Sequence, residues 1–348
     1  MRLLTGPQIS TILRGLSKEN ATLLLDALAS GLASYSAEKG SKEHASIHQP
    51  LRSVIQTRDR NTTLIMPVSN TTTTSVKVAT VPNQGDIKGA ITIYDATGDL
   101  HGVLNAAEIT AFRTALATMT LLVRWKAPAR PNLVVFGAGK QSEWHARLAL
   151  LLIPRIKNVT VINRSRERLD KFQETVISGL NSSYPNVHFR CISPEANDDY
   201  HNQLSRHLAD ADIVCGCTPS TKPLFKAEEL KIDSSRPKFL SLFGSYKPNM
   251  QEVDTKTIRL GGSIYVDSVD ACLEEAGELI KAGLAADDLI EVGSLYSSNE
   301  GENRSLEHHR EALTIFKCVG MGLMDLVISQ KLLEIAESSN IGTVLSDF

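Results

Sequence analysis

No apolar run in this 348-residue chain approaches the length of a membrane span. Its first residues, MRLLTGPQIS, hold neither a signal-peptide core nor an Arg-rich, acid-free presequence, so a cytoplasmic location is expected. Charge of one sign is also missing. Lys and Arg number 37 against 39 Asp and Glu, and the formal charge of −2 gives no footing for nucleic acid or an anionic membrane. Cysteine is sparse. The five thiols (Cys191, Cys215, Cys217, Cys272, Cys318) are odd in number and scattered, which suits free thiols in a reducing compartment. Cys215 and Cys217 lie two apart on an apparent strand, share a face, and do not easily bridge. His308-His309 has no i, i+4 partner and no nearby cysteine, so no metal is expected. There is no internal repeat, and Thr71 to Thr74 is the only low-complexity tract.

What is present is ordinary for a soluble globular protein: 42% hydrophobic and 22% charged residues, over a length that suits two domains. Leucines and isoleucines from Ile9 to Leu28 predict a helix-rich lead-in, and the polar interval Glu38 to Pro50 a loop. Strand-like pieces come next at Leu51 to Gln56, Thr62 to Met66, Ser75 to Ala79 and Gly89 to Tyr94. The last enters the turn Asp95-Ala96-Thr97-Gly98, where Gly98 suits a positive φ. Together they predict an antiparallel sheet that forms a unit of its own. A helix is predicted from Asn105 to about Lys126, with Asn105 as N-cap and Glu108 at the capping-box position; Pro128 and Pro131 then interrupt the chain.

Beyond them, strands and helices alternate. Candidate strands lie at Leu133 to Phe136, Val159 to Ile162, Val187 to Cys191, Ile213 to Cys217, Phe239 to Phe243 and Ser263 to Val266, which implies a parallel sheet covered on both faces. Asn181 to Pro185 and Ser297 to Arg304 read as surface loops. The tail, Leu306 to Ala336, reads as helical and without strands, returning to the first domain. The expected division is 1–126, 127–305 and 306–348, with fold class α/β: a doubly wound parallel sheet plus a separate α/β domain with an antiparallel sheet.

The most informative stretch is NLVVFGAGKQSEWH, Asn132 to His145. An apolar run ends in Gly137-Ala138-Gly139, and a helical segment from Gln141 to Leu152 succeeds it. That order suits the first turn of a dinucleotide-binding fold: Gly137 for the tight turn, Gly139 for backbone approach to a pyrophosphate at a helix N-terminus. Ser142 stands where a third glycine is usual. About twenty residues on, the second strand ends in Asn163-Arg164-Ser165, where an NAD-selective site usually carries an acid. Arg164 offers a cationic fork to a 2′-phosphate, with Asn163 and Ser165 as donors, so NADPH is expected over NADH. The alternative is a solvated arginine opening the next helix.

Four further positions stand out. Arg52 opens an apolar strand, where a buried cation needs an anion; the alternative is a surface arginine on an edge strand. Lys77, between Val76 and Val78, has a lowered pKa and donates a proton near neutral pH if it faces a closed pocket, though alternation permits an exposed lysine equally. Arg113 sits in a helix among Ala111, Phe112, Ala115, Leu116 and Ala117, and so requires a counter-charge, with Glu108 or Asp325 as structural partners. Thr218 lies just past a strand at the carboxyl edge of the sheet, where cofactors bind. Asp267 closes another strand and is read as a cap for the next helix. Asp325, in an otherwise apolar helix, is read as orienting Lys77 or Arg113, or as pairing structurally; neither aspartate is counted as catalytic.

Several segments resemble the ornithine cyclodeaminase/mu-crystallin family along nearly the whole chain. They include Gln49-Pro50-Leu51-Arg52, Met66-Pro67, Val76-Lys77-Val78, Pro82-Asn83 and the run Asn105 to Ala115. Gly137 to Gln141, Cys217-Thr218-Pro219-Ser220, Val266-Asp267-Ser268, and Thr314 to Gly320 with Asp325 continue the match. The T-A-x-R-T-A segment ending at Ala115 is the most specific. The resemblance implies a Rossmann domain, an N-terminal domain that dimerises through its sheet, and nicotinamide-dependent chemistry on amino, imino or keto acids. By the same resemblance Arg52 binds the substrate carboxylate and Lys77 is the active-site lysine. Arg113 lies near the phosphates or the carboxylate, Thr114 on the pyrophosphate, and Thr218 beside the nicotinamide ribose. Gly137, Ala138, Gly139, Gln141, Asn163, Arg164 and Ser165 complete the expected cofactor set.

The chain departs from the cyclodeaminases of that family at two positions. Where they carry an aspartate after a strand-ending glycine, Gly244 is succeeded by Ser245, and the strand Thr62 to Met66 lacks their second acid. A substrate ammonium there would be buried without a partner, which argues against ornithine. The expectation is therefore an NADPH-dependent reductase of cyclic ketimine carboxylates or of imines of 2-keto acids. The rivals are an ornithine cyclodeaminase or amino-acid (opine-type) dehydrogenase, and a non-catalytic protein that binds NADPH and a small ligand.

Overall fold

The computed structural model describes residues 1–38, 45–196, 199–296 and 311–346. Along the chain the elements are β1 (Arg2–Leu4), α1 (Gly6–Arg14), α2 (Lys18–Ala37), β2 (Ser53–Gln56), β3 (Thr62–Ser69), β4 (Thr73–Val81), β5 (Lys88–Asp95), β6 (Leu100–Asn105) and α3 (Ala106–Leu122). Next come β7 (Asn132–Phe136), α4 (Lys140–Leu152), β8 (Asn158–Ile162), α5 (Arg166–Phe172), a π turn (Gln173–Ile177), α6 (Ser178–Ser183), β9 (His188–Ile192), α7 (Tyr200–Asp210), β10 (Ile213–Gly216) and β11 (Lys238–Leu242). The last are α8 (Thr255–Leu260), β12 (Ser263–Val266), α9 (Val269–Glu275), α10 (Gly277–Lys281), β13 (Leu289–Glu291), β14 (Leu313–Lys317), α11 (Gly322–Ser338) and β15 (Thr343–Val344).

The chain forms two compact units. The first holds residues 1–114, 293–296 and 320–346 of the described chain, and the second 115–292 and 311–319. The expected boundary at 126/127 therefore moves into α3, and the tail is divided between the units.

In the first unit a seven-stranded sheet has the order β15-β1-β6-β5-β4-β3-β2. It is antiparallel apart from the parallel pair β1–β6. Strands β1 and β6 were not expected: each is short, and β6 is the return arm of the hairpin at Gly98, whose φ is 98°. Helix α11 packs on α2 and against β3, β4 and β5. Leu28, Leu32, Met66, Ile91, Leu326 and Leu332 are buried in this layer. Residues of β4 alternate accordingly, with Ser75, Lys77 and Ala79 buried and Val78 exposed.

The second unit is built on an eight-stranded, wholly parallel sheet ordered β13-β12-β14-β11-β10-β7-β8-β9. The order reverses at β7/β10, which makes that edge the topological switch point. Strands β7, β10, β11 and β14 hold mostly buried residues, as a sheet covered on both faces requires. Strand β14 overturns the expectation of a strand-free tail. Its run Leu313-Thr314-Ile315-Phe316 is buried throughout, so period does not separate it from the helical segment that succeeds it. Asn181 to Ser183 belong to α6 rather than a loop; the Ser182 and Ser183 hydroxyls donate to the carbonyls of Ser178 and Gly179 one turn back. Two expectations, the loop Ser297 to Arg304 and the pair His308-His309, lie outside the described residues.

Candidate active site

The first unit gathers a buried charge cluster around Lys77. Its register partners are Met66 on β3 and Ile91 on β5, both buried, so the lysine points to the face that α11 covers. Asp325, in the first turn of α11, meets it there: Lys77 Nζ donates to Asp325 Oδ2 at 2.5 Å. The other carboxylate oxygen, Oδ1, accepts from Arg113 Nε at 3.1 Å, and Arg113 Nη1 reaches Met324 Sδ at 3.5 Å. All three charged side chains are buried. Burial lowers the Lys77 pKa to about 8; Asp325 opposes that shift, while Arg113 and Arg52 add to it. A lysine near 8 holds a proton at neutral pH and gives it up readily.

Arg113 thus has the counter-charge it needed, supplied by Asp325. Arg52 differs from its expected setting. It is half-buried, just before β2, which is an exposed edge strand of the sheet. Its charge still acts on Lys77. Thr114 is buried, and its hydroxyl donates to Thr110 O within α3. Asn105 caps α3 as expected, its Oδ1 accepting from Ala107 N.

In the second unit the expected nucleotide residues fall together at the carboxyl ends of β10, β7 and β8, three adjacent parallel strands. Gly137 ends β7 with φ 111°, and a Cβ there would lie 2.8 Å from Cys217 O, so only glycine fits. Ala138 is half-buried and Gly139 exposed; a Cβ on Gly139 would meet no atom within 4 Å. Gly139 is the N-cap of α4, and no side chain caps it. Gln141 Oε1 is buried without a hydrogen-bond partner. An open glycine turn and an uncapped 13-residue helix are the features a dinucleotide pyrophosphate fits.

At the end of β8, Asn163 Nδ2 donates to Ser165 O, Ser165 caps α5, and Arg164 is exposed. Thr218 lies just past β10, its amide and hydroxyl both donating to Glu252 Oε1, at 2.8 and 3.0 Å. Asp267 is not a cap. Ser268 caps α9, while Asp267 is buried and accepts from Val319 N, Cys318 Sγ and Cys272 Sγ.

Among the buried charges of the second unit that sequence reasoning left unnoticed, three are Lys317, Glu278 and Glu252. Ser245, where the cyclodeaminases carry an acid, donates to Glu278, and Lys317 Nζ lies 3.0 Å from Glu278 and 2.7 Å from Ser245 Oγ. Glu252, fully buried, is the third. Lys317 had a signal, a lysine inside the apolar run of β14; Glu252 and Glu278 sit in segments with no motif. Asp325 was seen but not counted. Among the described residues, no cluster of His, Cys, Asp and Glu has the makings of a metal site, and the five cysteines are free.

The chain is similar in sequence and fold to several known proteins. The chain is 28% identical over 302 residues to the Delta(1)-pyrroline-2-carboxylate reductase of Bacillus thuringiensis, covering 82% of this chain and 84% of that one. It is 26% identical over 321 residues to the ketimine reductase mu-crystallin of Mus musculus, covering 89% and 91%. Among solved structures, Thermococcus litoralis Delta(1)-pyrroline-2-carboxylate reductase in complex with NADH and L-proline shares the fold. Its TM-score is 0.78 at 17% identity, over 99% of this chain and 100% of that one. Residues 16–340 match the model of the ornithine cyclodeaminase/mu-crystallin family, to which this chain belongs.

Proposed function

We propose that this protein is an NADPH-dependent reductase of imines that carry a carboxylate, cyclic ketimine carboxylates first among them. The observation that carries the reading is the buried Lys77–Asp325–Arg113 cluster, with the Lys77 pKa near 8 and Arg52 in electrostatic reach. The names of two relatives, a pyrroline-2-carboxylate reductase and a ketimine reductase, point the same way.

In this reading Arg52 and Arg113 hold the substrate carboxylate, since a guanidinium grips both oxygens at once. Lys77 holds a proton on Nζ and delivers it to the imine nitrogen. Asp325 orients Nζ and keeps the lysine protonated against the two arginines. Gly137, Ala138, Gly139 and Gln141 cradle the pyrophosphate, with Thr114 assisting, and Thr218 lies beside the nicotinamide ribose. Asn163, Arg164 and Ser165 take the 2′-phosphate. The nicotinamide dinucleotide, when bound, supplies the hydride. The first unit is the substrate and dimerisation part and the second the nucleotide part. Ornithine is disfavoured because Glu278, the carboxylate beside Ser245, is already neutralised by Lys317 and leaves no anion for a substrate ammonium.

A homodimer fits the first unit's sheet. The face opposite α11 exposes Ile55 and Val78 and leaves Ile65 and Val76 half-buried, an apolar surface that a second copy would cover. No described helix is long and apolar enough to cross a membrane, and the free thiols suit a reducing, cytoplasmic setting. The test is oxidation of NADPH, with NADH in parallel, on pyrroline-2-carboxylate and piperideine-2-carboxylate. Turnover with NADPH and little with NADH supports both the reaction and the role of Arg164. Saturable NADPH binding without turnover on either imine removes the reaction.

A further inference from the structure

Glu252 lies between β11 and α8, with its side chain fully buried. Its carboxylate gathers four donors from two strand exits. Oε1 accepts from Thr218 N at 2.8 Å and Thr218 Oγ1 at 3.0 Å, just after β10. Oε2 accepts from Gly244 N at 2.7 Å and Phe243 N at 3.2 Å, just after β11. Its own carbonyl accepts from Leu224 N at 2.8 Å, which anchors the residue to the loop after β10. The neighbouring glycines leave it room: a Cβ on Gly216 would lie 2.8 Å from the carboxylate, and one on Gly244 only 1.8 Å from Thr218 O.

These two exits have a particular place in the sheet. A doubly wound sheet binds one mononucleotide on each half, on either side of the switch point. Here the glycine turn after β7 and the Asn163-Arg164-Ser165 end of β8 lie on one half, so the adenosine part belongs there. Strands β10 and β11 open the other half, so their exits face the nicotinamide part. A carboxylate is the side chain that suits four converging donors. A glutamine would turn an NH2 toward one pair of them and lose those bonds.

We propose that Glu252 is a positioning residue for the nicotinamide half of the cofactor: it ties the exits of β10 and β11 together and thereby sets Thr218. The inference rests on the dinucleotide part of the proposed function and not on the imine reaction.

The test compares a whole cofactor with a fragment that lacks nicotinamide, in the full-length protein. NADPH and NADH are titrated by nicotinamide fluorescence, and ADP-ribose with its 2′-phosphate form by calorimetry. Glu252→Gln is expected to weaken both reduced dinucleotides on the order of tenfold and to change the fluorescence of bound nicotinamide, leaving the ADP-ribose ligands within about twofold. Unchanged dinucleotide affinity overturns the inference, as does equal weakening of whole cofactor and fragment. Should Glu252→Gln fail to fold, Thr218→Val removes one of the four bonds and leaves the carboxylate in place. It must then show the same selective loss, at about threefold, or the inference falls. Wild-type protein that binds the dinucleotides but turns over no imine refutes the reaction alone. Wild-type protein that binds no dinucleotide overturns this inference as well.

Discussion

Asp325→Asn removes one negative charge from the Lys77 cluster while keeping the shape of the side chain. In the wild type, burial holds Lys77 at about 8 although Asp325, at 2.5 Å, works in the opposite direction. An opposite charge at that range shifts a pKa by about 1–3 units, so the variant should bring Lys77 to about 5–7. For a two-unit fall the protonated fraction at pH 7 drops from about nine tenths to about one tenth, a loss of about 3 kcal/mol in proton affinity. The expected loss in kcat/KM at pH 7 is then about tenfold from ionisation alone. The assay is cofactor oxidation with pyrroline-2-carboxylate from pH 5 to 9.5, read as the ratio of variant to wild type so that ionisation of the substrate cancels. That ratio should fall between about pH 6 and 8 and level off on either side. A ratio flat across pH in a folded variant refutes the role given to Asp325.

Stability carries the same signature. Because the folded Lys77 pKa lies below its ordinary 10.5, the unfolded chain binds more protons between about 8 and 10.5, and this group's penalty fades as pH rises through that window. In Asp325→Asn the window should open lower. Urea melts should show the variant losing most at acid pH, where both Lys77 and Arg113 are charged without their anion, by about 3–5 kcal/mol.

Lys77→Met should cut turnover on the order of 10²–10⁴-fold while NADPH affinity by fluorescence stays within about twofold; unchanged turnover removes Lys77 from the mechanism. Arg164→Ala should raise the KM for NADPH by about 10–100-fold and leave that for NADH nearly unchanged, and an equal effect on both would rule out a 2′-phosphate contact. Val78→Glu, on the open sheet face, should shift light scattering from dimer to monomer, whereas an unchanged mass moves the interface elsewhere.

Much of the second unit was legible because its signals are local. A tight turn at Gly137, a helical segment from Gln141 and a cation at the end of β8 are properties of a few consecutive residues. Strand β14 was not legible, because a short run buried on both faces has no period to separate it from the helical tail it adjoins. Arg113 announced a need for a counter-charge, and Lys77 left its own exposure open. Asp325 was on offer for both, beside Glu108 for Arg113, and the sequence did not decide between them.

The sequence by itself determined the glycine turn, the alternation of strands and helices from Asn132 onward, the family, and the residue types available for binding and proton transfer. Only the tertiary structure decided that Asp325, 248 residues from Lys77, is the anion shared by Lys77 and Arg113. It also decided that Arg52 stands half-exposed at a sheet edge, and that Glu252 joins the exits of β10 and β11. The reason is physical. Backbone dihedrals and hydrophobic period are set within a turn or two of chain. The pKa and partner of a buried charge depend on which distant groups share its low-dielectric surroundings.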